Sequence, residues 1–100
     1  PKIRTNFKDV YHNYIITLDE KIRDKFMKIL LKCGVETKIH YPIPLHLQKC
    51  SRNMGYTYGS LPNCERLCKS IVSLPIYHTM TEEEINYVID SVNKTFIMIN

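Results

Sequence analysis

Residues 10–18, "VYHNYIITL", carry the first strong pattern of the chain, a crowding of β-branched and aromatic side chains among polar ones. That composition predicts a strand, because such side chains fit a pleated, half-buried surface. Asp19 follows as a helix cap, and Ile22, Phe26, Ile29, Leu30 and Cys33 then recur at the spacing of one helical face. Gly34 stands where a left-handed helix stop is expected. Polarity alternates through "VETKIHY", residues 35–41: Val35, Thr37, Ile39 and Tyr41 point one way, Glu36, Lys38 and His40 the other. The pattern predicts a half-buried strand. It ends at Pro42 and Pro44, which cannot donate to a sheet ladder and which hold Tyr41 and Ile43 extended.

Residues 46–59 read as a long loop containing "GYTYGS", and loops of that length inside a domain are functional or poorly ordered. A second helix opens near residues 60–62 with Pro62 in its first turn, and Leu61, Cys64, Leu67, Cys68 and Ile71 form its expected apolar stripe. "IVSLPIY", residues 71–77, predicts a short strand closed by Pro75. The last helix has the clearest start: Thr81 with Glu84 makes a capping box, Glu82 and Glu83 suit the helix dipole, and Ile85, Val88, Ile89, Val92 and Phe96 follow as an apolar face. Residues 1–9 are polar and pattern-free, a linker remnant ahead of one domain over residues 10–100.

The expected order is strand, helix, strand, loop, helix, strand, helix. It predicts an α/β fold of the α+β two-layer kind, a small three-stranded sheet with helices on one face. The other face, bearing Glu36, Lys38 and His40, is either wet or meets another domain.

One hundred residues suffice for one domain with a modest core. The formal net charge of +4, from 14 basic and 10 acidic side chains, is mild and scattered. Lys21, Arg23, Lys25, Lys28 and Lys32 share the first helix with Glu20 and Asp24. This is better read as a solvated face than as a nucleic-acid or membrane surface, since stacking aromatics are not interleaved and the same helix supplies core. No apolar run approaches the roughly 20 residues that cross a bilayer, and no basic-then-apolar leader opens the chain, so a soluble, cytoplasmic protein is expected. A first residue of Pro1 suggests processing, or a piece of something longer.

Four cysteines, Cys33, Cys50, Cys64 and Cys68, would be reduced thiols in such a setting. His46, Cys50, Cys64 and Cys68 could nominally hold zinc. The spacing lacks the usual two-residue knuckles, however, and Cys64 and Cys68 fall on the apolar stripe, so packing is the preferred reading and no metal is expected. Nucleophile–base pairs of Cys and His are numerous but unmarked by any strained turn or oxyanion element. No phosphate-cradling glycine loop occurs, and the carboxylates at Glu82, Glu83 and Glu84 are explained by capping.

The unusual stretch is "HYPIPLHLQ", residues 40–48. Its prolines remove conformational freedom in advance, His40, His46 and Gln48 offer neutral hydrogen-bonding tips, and Tyr41 adds a flat face with a hydroxyl. That suits a polyhydroxylated ligand such as a sugar. The alternative is a rigid exit from the strand whose polar groups satisfy one another, and on the residues alone it weighs more.

The ordered set "VETKIHYPIPLHLQ" and "MGYTYGSLPNCERLCKSIVSLPIYHTMTEEEINYVIDSV" resembles the C-terminal segment of the DegT/DnrJ/StrS sugar-nucleotide aminotransferases. The signatures are His-Tyr-Pro with a following Pro-Leu-His, a Pro-led helix with Glu65 and Leu67, a Ser-Leu-Pro strand and a Thr-Glu-Glu-Glu helix start. The resemblance implies the small domain of a fold-type I, pyridoxal-phosphate-dependent enzyme. Such an enzyme moves an amino group from glutamate or glutamine to a nucleotide-linked keto sugar, in cell-surface polysaccharide or modified-sugar biosynthesis. It implies a homodimer and a large cofactor-binding domain that supplies the Schiff-base lysine; no lysine here matches that motif. Carried over by position, His40, Tyr41, Pro42, His46 and Gln48 shape or contact the sugar nucleotide, with no catalytic or cofactor-binding residue in this segment. The other possibility is a stand-alone, non-catalytic sugar-nucleotide binding or regulatory module.

Overall fold

The computed structural model describes residues 5–99; of the lead-in expected over residues 1–9, positions 1–4 lie outside the described residues. Chain order runs β1 (Tyr14–Thr17), α1 (Glu20–Lys32), two 3-10 turns (Leu45–Leu47 and Lys49–Met54), α2 (Pro62–Ser70), β2 (Ile71–Leu74) and α3 (Glu82–Ile99).

β1 and β2 pair antiparallel, Ile16 opposite Val72 and Ile15 opposite Ser73. The sheet formed by the described residues has these two strands rather than three. The third strand expected over residues 35–41 shrinks to one bridge, Lys38 with Ser73, made by both backbone bonds (Lys38 N to Ser73 O 3.1 Å, Ser73 N to Lys38 O 2.8 Å). It is squeezed from both ends. On one side, α1 closes with Gly34 at φ +78°, Gly34 N bonded to Leu31 O and Val35 N to Leu30 O, so the Val35 amide belongs to the helix stop. On the other side, the prolines offer no donor. The alternation holds through Ile39 but fails at Tyr41, which is 67% exposed.

Asp19 caps α1 as expected, its carboxylate accepting from Lys21 N at 2.8 Å. Phe26 and Leu30 of α1 are fully buried with Val35 and Val72, and Ile16, Leu18, Leu74, Val88, Val92 and Phe96 pack around them half-buried. Phe26 and Phe96 meet with ring centroids 5.0 Å apart, joining α1 to α3. Ile85 and Ile89, expected in the same stripe, are exposed and line an apolar groove of about 700 Å³ between α3 and the β1–β2 edge. The capping box at Thr81 forms as the spacing predicts, with Thr81 N on Glu84 Oε2 (2.8 Å) and Glu84 N on Thr81 Oγ1 (3.2 Å).

α2 departs most from expectation. Leu61, Cys64 and Leu67 of its apolar stripe are exposed, and its buried residues are Glu65 and Ser70. The core is therefore small and much apolar surface is open. The radius of gyration, 16.1 Å, exceeds the roughly 13 Å of a compact domain of this length. Among the described residues no helix is long and apolar enough to cross a membrane.

Candidate functional site

Beyond Lys38 the chain leaves the sheet, and side chains take over the role of the ladder. The His40–Tyr41 peptide is cis. His40 is exposed, yet its Nδ1 lies 2.9 Å from the Oγ of buried Ser73, the residue whose backbone pairs with Lys38. Tyr41 stands edge-on to the His40 ring, centroids 5.8 Å apart, and faces solvent together with Pro42. Pro44 turns inward, buried, and opens the 3-10 turn Leu45–Leu47. Gln48 Nε2 donates back to the Ile43 carbonyl at 3.2 Å, and buried Ser51 donates to the Leu45 carbonyl at 2.7 Å. The long loop expected over residues 46–59 is thus largely wound, ending at Gly55 in the left-handed region with φ +77°.

His46 is buried. Its Nε2 lies 2.9 Å from Glu65 Oε1, and its ring stands edge-on to Tyr56 at 6.1 Å. Glu65 also accepts from Gly59 N on both carboxylate oxygens (2.9 Å each) and from Leu61 N at 3.2 Å. Burial pushes the Glu65 carboxyl up, but the bonds from His46, Gly59 N and Leu61 N outweigh it and hold the group below the usual carboxylate range. One carboxylate therefore gathers the 3-10 turn, the Gly59 bend and the start of α2.

Of the five residues singled out by sequence, the loop presents His40, Tyr41 and Pro42 outward, while His46 and half-buried Gln48 act inside it. Glu65 and Ser73 were missed as site residues. A signal for Glu65 existed: "GSLPNCE" places a carboxylate where it can reach back to the amides that open the helix. Ser73 had none, since its partner is 33 residues away.

Beside the loop, a cleft of about 530 Å³ runs between Glu36 and Lys38, the segment after β2 and the start of α3. The Lys38 ammonium pairs with Glu36 and holds that carboxyl below its ordinary range. At the far wall, a hydrogen bond from Tyr77 to Glu84 pushes the Tyr77 phenol up. Every lysine among the described residues is exposed, and Lys69 donates to Tyr58 Oη at 3.0 Å. None sits in a closed pocket fit to hold a carbonyl cofactor. The zinc set is not assembled either, because His46 is engaged by Glu65 while Cys50 and Cys64 are exposed.

The model of the DegT/DnrJ/EryC1/StrS aminotransferase family matches residues 1–93. A protein of Geobacillus stearothermophilus described as a pleiotropic regulatory protein is 36% identical over 83 residues, which are 83% of this chain and 22% of that protein. The dTDP-3-amino-3,6-dideoxy-alpha-D-galactopyranose transaminase of Aneurinibacillus thermoaerophilus is 33% identical over 94 residues, 94% of this chain and 25% of that enzyme. Among solved structures, the aminotransferase TlmJ from Streptoalloteichus hindustanus superposes with a TM-score of 0.84 at 26% identity, covering 100% of this chain and 26% of that one. The chain spans about a quarter of the length of these relatives.

Proposed function

The chain belongs to the DegT/DnrJ/EryC1/StrS aminotransferase family, and from that premise we propose that residues 10–100 form the C-terminal small lobe of a pyridoxal-phosphate-dependent sugar-nucleotide aminotransferase, with residues 1–9 leading into it. The substrate would be a nucleotide-linked keto sugar and the amino donor glutamate or glutamine, in cytoplasmic synthesis of modified sugars or cell-surface polysaccharide. The observation that carries the reading is the family match over nearly the whole chain while the chain spans only a quarter of its relatives.

Pyridoxal phosphate, when bound, acts as the amino carrier and electron sink of such enzymes. The lysines among the described residues are exposed and do not fit it, and in this reading the cofactor is held by the large domain of the same protein. What this chain contributes is substrate placement. Tyr41 offers a flat apolar face and a hydroxyl to a sugar ring, and His40, held through Nδ1 by Ser73, leaves Nε2 free to exchange a hydrogen bond with a ring hydroxyl. Pro42 fixes the turn, and His46 and Gln48 support it from behind. The exposed stripe Leu61, Cys64 and Leu67 and the groove along α3 are surfaces for the large domain or for the second copy of a homodimer.

A second reading, a stand-alone non-catalytic sugar-nucleotide binding or regulatory module, is favoured by the name of the Geobacillus relative. The test compares the full reading frame with these residues alone, each supplied with pyridoxal phosphate, glutamate or glutamine and a panel of nucleotide-linked keto sugars. Amino transfer by the full-length protein only is expected. Turnover by the hundred residues alone sinks the reading, and sugar-nucleotide binding by these residues alone, with no amino transfer by either protein, favours the module.

A further inference from the structure

We propose that Glu65 is a positioning residue for the sugar nucleotide, acting through His46 to set where His40 and Tyr41 are presented. The inference rests on the functional reading above and deepens it. Beyond Lys38 the loop has no sheet partner among the described residues, and side chains from elsewhere in the fold tie it near its two ends, Ser73 at His40 and Glu65 at His46. Between those ends lie Pro42 and Pro44, whose rings fix the backbone φ and make the span a short stiff lever. With φ fixed at both prolines, the span has fewer ways to absorb a shift of His46 before it reaches Tyr41. The His46 end is the better buried of the two: both partners are nearly inaccessible, and Glu65 is itself held by the amides of Gly59 and Leu61. Gly59 takes φ +90°, a conformation that suits glycine and directs its amide at the carboxylate.

Glu65 touches no outward-facing residue of the loop, so its removal should reach the sugar nucleotide only through placement, although it also frees the amides of Gly59 and Leu61. In the full-length enzyme, Glu65→Ala is expected to raise the KM for the sugar nucleotide roughly tenfold, short of the roughly hundredfold that misplacement by a full ångström can cost, with the KM for the amino donor and the rate of amino uptake from it within about twofold. Glu65→Gln keeps one acceptor oxygen and serves as the milder variant where Glu65→Ala does not fold; a rise of a few fold is expected from it. The double variant with His46→Ala should lose no more than the worse single one, because both break the same link.

An unchanged sugar-nucleotide KM in a folded variant overturns the proposal, as does an equal rise in both KM values or additivity with His46→Ala. Tyr41→Ala in the same background separates the failures. If it raises the sugar-nucleotide KM while the Glu65 variants do not, only the positioning role falls. If neither changes it, the assignment of the loop to the sugar nucleotide falls too.

Discussion

The Oγ of Ser73 lies 2.9 Å from the Nδ1 of His40, 33 residues earlier in the chain, and the backbone of the same serine pairs with Lys38. One buried residue of β2 thus fixes both the last sheet contact of the loop segment and the first side chain beyond it. Ser73→Ala keeps the backbone pair and removes the hydroxyl. Since exposed His40 can turn to water, the loss should be that of one ordinary hydrogen bond, about 0.5–1.5 kcal/mol, or roughly two- to tenfold in local opening. Exchange of the Lys38 amide, which donates to the Ser73 carbonyl at the root of the loop, should quicken by up to that factor while α1 stays protected. Unchanged exchange there would remove Ser73 from the site.

Among the described residues the buried apolar core is Phe26, Leu30, Val35 and Val72, and Phe96 packs on Phe26 from α3. With so few buried side chains, each deletion is felt. Phe26→Ala should cost about 3–5 kcal/mol, a large part of the stability of a small domain. Ile97→Ala, at a position 78% exposed, should stay within about 0.5 kcal/mol in this chain. Chemical denaturation of the two variants side by side checks the contrast, and equal losses would mean that α3 is seated differently.

The parts of the fold that declare themselves locally were legible in sequence. Asp19, Gly34, Thr81 and Glu84 act within a few residues of themselves, and each does in the structure what its spacing predicts. The third strand was over-read because alternation records which way side chains point, not whether amides are free to pair, and the Val35 amide is taken by the end of α1. The stripe on α2 was misassigned for another reason. Hydrophobic periodicity identifies an apolar face without saying what covers it, and the face of Leu61, Cys64 and Leu67 is open in this chain. The outward residues of the loop were legible as a motif, and Glu65 carried a local signal as a carboxylate near a helix start, whereas Ser73 looks like an ordinary polar residue until the chain is folded.

The capping box gives a prediction confined to one helix end. Thr81→Ala removes the acceptor for Glu84 N and the hydroxyl that donates to Glu84 Oε2. A cap of this kind contributes about 1 kcal/mol, so amides of the first turn of α3 should exchange roughly fivefold faster, with Thr81→Ser close to the parent. Equal exchange in the alanine variant would show that the turn is held by packing alone.

Cys64 and Cys68 differ in reactivity although they are one helical turn apart. Burial, and after it the neighbouring Cys64 thiol, push the Cys68 thiol up, while Cys64 is exposed. Since the thiolate is the reacting form, iodoacetamide at mildly alkaline pH should modify Cys64 before Cys68, and Cys64→Ser should leave Cys68 slow because burial is the larger cause. Peptide mapping over time reads the order. Faster labelling of Cys68 would place it at the surface.

Glu65 makes the acid side of the pH profile specific. Burial alone would raise its carboxyl, but the bonds from His46, Gly59 N and Leu61 N leave it below the ordinary value of 4.5, so the folded state favours the carboxylate. The sign follows: this stabilisation is complete above the unfolded value and is lost as pH falls through the lower folded value. The Gly59 amide reports it directly, because it donates to both carboxylate oxygens. The part of its proton shift that Glu65→Gln abolishes should move only below about 4.5, as the carboxylate takes up a proton. In Glu65→Gln that titration should vanish, and the stability gap to the parent should close over the same acid range. A midpoint above 4.5 for the part of the titration that Glu65→Gln abolishes would mean that desolvation, not hydrogen bonding, governs the buried carboxyl.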